Sequence, residues 1–165
     1  VDSAAEARRA VERCKFPPVG RRSVAGGYPQ FDWRAVPVVE AVAALNEQTL
    51  VVCMIETREG LEAIESIAGV EGVDVVHVGA NDLLADMGKP GRFDDPEVAA
   101  AIDRAIAAAA AHGKHAGVGG NRDPARQAEM IRRGARFLTT QTDIGFLSDA
   151  ATLWVAAVRG ASGPA

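Results

Sequence analysis

Apolar positions along the chain fall into two periods. Residues 4–15 (AAEARRAVERCK) set Ala7, Ala10, Val11 and Cys14 at spacings of three and four, which is one face of a helix. Asp2 and Ser3 ahead of it are N-cap residue types, and Pro17-Pro18 stop it. The stretch 20–33 (GRRSVAGGYPQFDW) has no period and is expected as a glycine-rich loop, with a second helix over 35–47. The pattern then changes. TLVVCMIET (49–57) is a continuous apolar run rich in β-branched residues, too short for a buried helix. Such a run marks a strand of a parallel sheet covered on both faces. GLEAIESIAG (60–69) follows as a helix, GVDVVHVGAND (72–82) as a second buried strand, and KHAGVGG (114–120) and ARFLTTQTD (135–143) as a third and fourth. Between the later strands, Asp95-Pro96 and Asp123-Pro124 supply a cap and a first-turn proline to helices ending near Ala111 and Arg133. A closing helix is expected over 148–159 and a disordered tail over 160–165.

Two helices followed by four alternating strand–helix units imply an α/β fold with a parallel sheet and right-handed crossovers. Four strands suit a small open sheet. They also suit half of a (β/α)8 barrel, which takes about 250 residues. The chain opens at Val1 with a helix that no strand precedes, so residues 1–165 are expected to form a single domain that is part of a longer product. With 48% hydrophobic and 24% charged residues, the sequence has ample material for a packed core. A net charge of −4 without a basic block argues against nucleic acid as a partner. No apolar run reaches the roughly 18 residues of a membrane span. Cys14 and Cys53 are too few for a disulfide scaffold, and a cytoplasmic location is the expectation.

Parallel α/β folds bind ligands at the carboxyl ends of their strands. Here those ends carry Glu56, then Gly79-Ala80-Asn81-Asp82, then Gly117 to Gly120, then Thr142-Asp143. Glu56 and Asp82 sit one unit apart at the same end of neighbouring strands. Two hard oxygen donors there suit an octahedral Mg²⁺ or Mn²⁺ better than zinc, because no Cys or His shares the rim motifs. Alternatively, Glu56 and Asp82 cap the turns in which they stand. Gly79 and the glycines of 117–120 are either turn glycines or places where backbone N–H groups approach an anionic substrate. His77, mid-strand between two valines, is expected as a satisfied core histidine. His112 and His115 flank a helix end, Arg21 and Arg22 suit rim salt bridges, Tyr28 and Trp33 suit packing, and Asp143 suits a helix cap.

Taken together, MIET at 54–57, GVDVVHVGANDL at 72–83, ADMG at 85–88, KHAGVGG at 114–120 and GARFLTTQTDIGFL at 134–147 resemble the HpcH/HpaI aldolase/citrate lyase family. The opening AAEARRAVERCKFPPVGRRS resembles the segment that follows the fourth strand of that family. The resemblance implies a TIM-type (β/α)8 barrel, of which this chain supplies the last four units. It implies a divalent-metal aldolase that cleaves a 4-hydroxy-2-oxo acid to pyruvate and an aldehyde. Glu56 and Asp82 would be the metal ligands, for Mg²⁺ or Mn²⁺, with Co²⁺ a third candidate. The metal would stabilise the enolate formed as the C3–C4 bond breaks. Backbone groups of Gly79, Ala80, Asn81 and Asp82 would hold the pyruvate carboxylate, with Ser23 a further substrate contact.

The sequence also departs from the family pattern. Met54 stands where the family has Gln, Ala80 where it often has Pro, and Ser23 is offset within SVAGG. The family's enolate-stabilising Arg and its His base belong to the first half of the barrel, and nothing here matches them. A homo-oligomer or an N-terminal half is therefore expected to complete the site. Two other readings stand beside the aldolase: a lyase acting on a CoA thioester, and a half-barrel that binds a 2-oxo acid, or only assembles, without turnover.

Overall fold

The computed structural model describes residues 1–161. One sheet holds β1 (Val52–Ile55), β2 (Val75–Gly79), β3 (His115–Gly119) and β4 (Phe137–Leu138) in chain order, with every neighbouring pair parallel. The helices are α1 (Ala4–Cys14), α2 (Val38–Gln48), α3 (Arg58–Glu62), α4 (Ile64–Ala68), α5 (Ala80–Asp86), α6 (Pro96–Ala111), α7 (Pro124–Arg133) and α8 (Asp143–Ala161). The order of the strands and longer helices is the one the hydrophobic pattern predicts; α5 and a 3-10 turn over Pro29–Phe31 are additional, and four differences bear on the site or the chain's end.

Strand alternation divides the sheet into two faces. Cys53, Ile55, Val76, Val78 and Val118 enter one apolar core with Ala7, Val11, Ile64, Ile67, Leu83, Val98, Ile102 and Ala105 from the helices. The alanines of α6 let that helix lie close against β2 and β3. On the other face Met54, His77, Gly117 and Phe137 stand in register across all four strands. This second face is only partly covered: His77 is buried, while Met54 and Phe137 are 39% and 36% exposed. A smaller core joins Phe16, Tyr28, Ala41 and Leu45, and pins α2 to the end of α1. There the Asn46 side chain accepts from Phe16 N and donates to Phe16 O, at 2.7 and 3.0 Å.

The first difference lies in β2, which ends at Gly79. Ala80, Asn81 and Asp82 form the first turn of α5 and not a strand end. Second, the helix expected over 60–69 begins at Arg58, where Thr57 caps it by accepting from Gly60 N at 3.0 Å, and it breaks at Ala63. Third, β4 is only two residues long, and α8 starts at Asp143, earlier than 148. Thr142 accepts from Gly145 N at 3.2 Å, so Thr142 caps this helix and Asp143 lies within its first turn. Fourth, α8 includes Gly160 and Ala161, the first two residues of the expected disordered tail; residues 162–165 lie outside the described residues. No described helix is long and apolar enough to cross a membrane.

Candidate active site

Glu56 leaves β1 at its carboxyl end, and Asp82 stands in the first turn of the helix that leaves β2. Thr57-Arg58, next along the chain from Glu56, is stapled to the far end of α5. Arg58 N donates to Asp86 Oδ2 at 2.8 Å, and the Arg58 guanidinium donates to Met87 O at 3.0 Å. The segment bearing Glu56 and the helix bearing Asp82 are thereby held as one unit.

Glu56 lies across Gly79. A Cβ at position 79 would stand 2.7 Å from Glu56 Cγ and 2.9 Å from Oε1, so only glycine leaves room for the carboxyl group there. The carboxyl is held above its ordinary range, first by burial, then by the adjacent Asp82 charge, and then by a hydrogen bond to Asp82 that needs the protonated form. The two acidic side chains therefore converge, as their matched strand-end positions suggest. Glu56 is half-buried and Asp82 exposed.

The other expected contacts divide into two groups. Ala80 is buried under the start of α5, while Asn81 and Asp82 are exposed at its N-terminus. Backbone N–H groups in the first turn of a helix lack intrahelical acceptors and face outward along its axis. Gly120, at φ +101°, packs against Asn81: a Cβ there would meet Asn81 N at 3.0 Å. Ser23 lies elsewhere. It is exposed in a surface hollow with Glu12, Arg13, Arg21 and Arg22, near the end of α1. Arg22 stacks over Phe16 at 4.7 Å instead of salt-bridging a rim.

His77 differs from its expectation. It is buried, but its Nδ1 has no hydrogen-bond partner among the described residues. Burial holds its pKa below the ordinary imidazole value. Gly117 and Gly119 serve this ring: a Cβ at either would stand 2.4 or 2.7 Å from its nitrogens. These two glycines of β3 therefore make a slot for an imidazole. Phe137 closes the slot edge-on at 5.6 Å.

A divalent cation fits the donor set. The Asp82 charge acts on the Glu56 carboxyl and helps push it toward protonation, and a bound cation would relieve that repulsion. Among the described residues no group of three or more His, Cys, Asp or Glu side chains is gathered at one point. A pair of carboxylate donors suits Mg²⁺ or Mn²⁺, which keep several exchangeable oxygen ligands, better than a closed zinc site.

The profile of the HpcH/HpaI aldolase/citrate lyase family matches residues 1–150. A 4-hydroxy-4-methyl-2-oxoglutarate aldolase of Chaetomium globosum is 38% identical over 161 residues, 96% of this chain and 60% of the relative. A 4-hydroxy-2-oxo-heptane-1,7-dioate aldolase of Escherichia coli is 37% identical over 153 residues, 92% of this chain and 57% of the relative. The crystal structure of an HpcH/HpaI aldolase from Desulfitobacterium hafniense superposes with a TM-score of 0.84 at 31% identity, covering 96% of this chain and 61% of that one. The chain thus spans about 60% of the length of the relatives it matches. Its four parallel strands are part of a TIM-barrel-type fold. By the profile match and by these identities, the chain belongs to the HpcH/HpaI aldolase/citrate lyase family.

Proposed function

We propose that this chain carries the metal-binding half of a class II aldolase that cleaves a 4-hydroxy-2-oxo acid to pyruvate and an aldehyde. The observation that carries the reading is the convergence of Glu56 and Asp82 over the bare backbone of Gly79. In this reading both carboxylates hold Mg²⁺ or Mn²⁺, with Co²⁺ an alternative. The cation, when bound, supplies Lewis-acid stabilisation of the negative charge that develops on the 2-oxo group as the C3–C4 bond breaks. The chain's own residues do the rest of what is visible. Gly79 keeps the floor beneath Glu56 free of side chain. Ala80, Asn81 and Asp82 offer helix-start N–H groups to the substrate carboxylate, where the positive end of the helix favours an anion. The Arg58–Asp86 staple keeps the two ligands in one geometry. Ser23, in the hollow with Arg21 and Arg22, is a further substrate contact in this reading. The proton-transfer and enolate-stabilising groups come from a segment outside this chain or from a second copy.

The test is pyruvate release from a 4-hydroxy-2-oxo acid by the whole protein, with and without a chelator. Glu56→Gln and Asp82→Asn keep the shape of each side chain and remove a ligand charge. Each is expected to lower metal-dependent cleavage at least a hundredfold, about 2.7 kcal/mol in the barrier, while the circular dichroism spectrum is retained. Near-normal cleavage by either variant at limiting metal contradicts the assignment. Metal binding by the wild type without any turnover points instead to a non-catalytic 2-oxo-acid-binding barrel.

A further inference from the structure

Three arginines without a carboxylate partner line one hollow. Arg13 stands in the last turn of α1, and Arg21 and Arg22 follow in the loop after Pro17-Pro18. Together with Glu12 and Ser23 they surround a single concavity. Elsewhere Arg9, Arg34, Arg104, Arg126, Arg132 and Arg133 each reach a carboxylate. Among the described residues Arg13, Arg21 and Arg22 form no ion pair, and neither does Glu12. The hollow therefore carries two positive charges in excess, and no described side chain neutralises them.

The walls of this hollow are fixed. Arg21 N donates to Glu12 O at 2.6 Å and Arg22 N to Lys15 O at 2.9 Å, so the loop is folded back onto the end of α1. Those bonds also satisfy helix-end carbonyls that would otherwise repel an anion. Gly20 permits the close approach: a Cβ there would collide with Lys15 O and stand 2.8 Å from Glu12 O. The Arg22 guanidinium lies over the buried Phe16 ring at 4.7 Å, and Asn46 pins the backbone of Phe16 on both sides. Stacking occupies the flat face of a guanidinium and leaves its in-plane N–H edge to an acceptor. The Ser23 hydroxyl is a further donor at the same concavity.

The hollow lies apart from Glu56 and Asp82. α1 begins beside the carboxyl end of β1, where the Thr57 hydroxyl donates to Asp2. It ends at the opposite edge, where buried Lys15 donates to Asn46 O and Thr49 O ahead of β1. Its eleven residues, at about 1.5 Å each, span roughly 16 Å. We propose that the hollow is a second ligand site, which binds a small oxyanion of two or more negative charges through Arg13, Arg21, Arg22 and the Ser23 hydroxyl. Phosphate and paired carboxylates both fit this chemistry, because the parallel N–H groups of a guanidinium match paired oxygens. In one respect the site rests on the aldolase reading: where the oxyanion belongs to the substrate, Ser23 meets it at this hollow and not at the cation.

The experiment is isothermal titration calorimetry of the metal-stripped whole protein, with inorganic phosphate and with glutarate as probes. The variants are Arg21→Gln, Arg21→Lys, the Arg13→Gln/Arg21→Gln double and Glu56→Gln; Arg13 and Arg21 are exposed, so the fold does not depend on burying them. Wild type is expected to bind one anion per chain saturably. The loss of one charge-assisted contact predicts a Kd about tenfold weaker in Arg21→Gln. The double variant loses measurable binding, and Arg21→Lys, which keeps the charge without the fork, falls between wild type and Arg21→Gln. Glu56→Gln binds the probes as wild type does. Tighter phosphate assigns the hollow to a phosphate group and tighter glutarate to substrate carboxylates, and either supports the site. No saturable binding of either probe overturns it, as does wild-type binding in the double variant, or binding lost in Glu56→Gln, which would place the anion at the carboxylate pair. A wild type that binds a probe here but releases no pyruvate overturns the aldolase reading and leaves this site standing. A wild type that releases pyruvate and binds neither probe overturns this site alone.

Discussion

At the residue scale, the informative positions are those where a polar group and a missing side chain meet. Glu56 needs Gly79, and His77 needs Gly117 and Gly119. The carboxylates were legible in the sequence because their type and matched position at adjacent strand ends suffice to raise the idea of a shared cation. The role of the β3 glycines was not legible, since a glycine in a strand signals a close approach without naming what approaches. His77 offers a pH test. Its folded-state pKa is depressed by burial. Below the ordinary histidine value of about 6.5 the unfolded chain takes up a proton that the folded chain refuses, so stability falls as pH drops from there toward the folded-state value; above it the residue adds no slope. The urea midpoint of the whole protein is therefore expected to fall between about pH 7 and about pH 5 more steeply in wild type than in His77→Phe. Parallel slopes would show that the imidazole titrates freely in the fold.

At the element scale, the strands were recognisable because Val, Ile and Cys runs such as VVCMI and VDVVHV bury on one face and line a sheet on the other. Their ends were not. A strand lasts only as long as its ladder has a partner, and that depends on neighbours distant in sequence. GVDVVHVGAND therefore stops being a strand at Gly79, and Leu83 and Leu84 of the following turn are buried as helix residues. This early start of α5 is what places Asp82 in a first helical turn facing Glu56. The staple between Arg58 and α5 was equally hidden, because a separation of 28 positions between Arg58 and Asp86 leaves no local signal. Asp86→Ala removes the acceptor of Arg58 N. At this exposed position the expected cost is about 1 kcal/mol, a fall in Tm of roughly 2–4 °C, with metal affinity lowered several-fold as the two ligand-bearing segments loosen. Differential scanning fluorimetry and a metal titration read both effects. An unchanged metal affinity alongside a lowered Tm would confine the staple to stability.

At the scale of the whole molecule, the sheet is one part of a barrel-type fold, and its two faces differ accordingly. The helix-covered face is complete, with Cys53, Ile55, Val76 and Val78 fully buried. The opposite face shows Met54 and Phe137 to solvent, although Val75 and His77 are buried and the glycines leave little else to expose. More apolar surface is open on α8, which buries none of its residues; Ile144, Phe146, Leu147, Leu153 and Trp154 are 61–74% exposed. Burial of a large apolar side chain is worth about 1.5–3 kcal/mol, so covering these positions would add to the stability of the fold. Whether the whole protein is an aldolase turns first on the cation. The most direct measurement is Mn²⁺ binding to the metal-stripped whole protein, followed by electron paramagnetic resonance, in wild type, Glu56→Gln and Asp82→Asn. One Mn²⁺ per chain is expected in wild type, with its loss, or an affinity at least about tenfold lower, in each variant, because a site with two carboxylates cannot spare either charge. One Mn²⁺ per chain bound with wild-type affinity in both variants would place the cation elsewhere and overturn the assignment of Glu56 and Asp82.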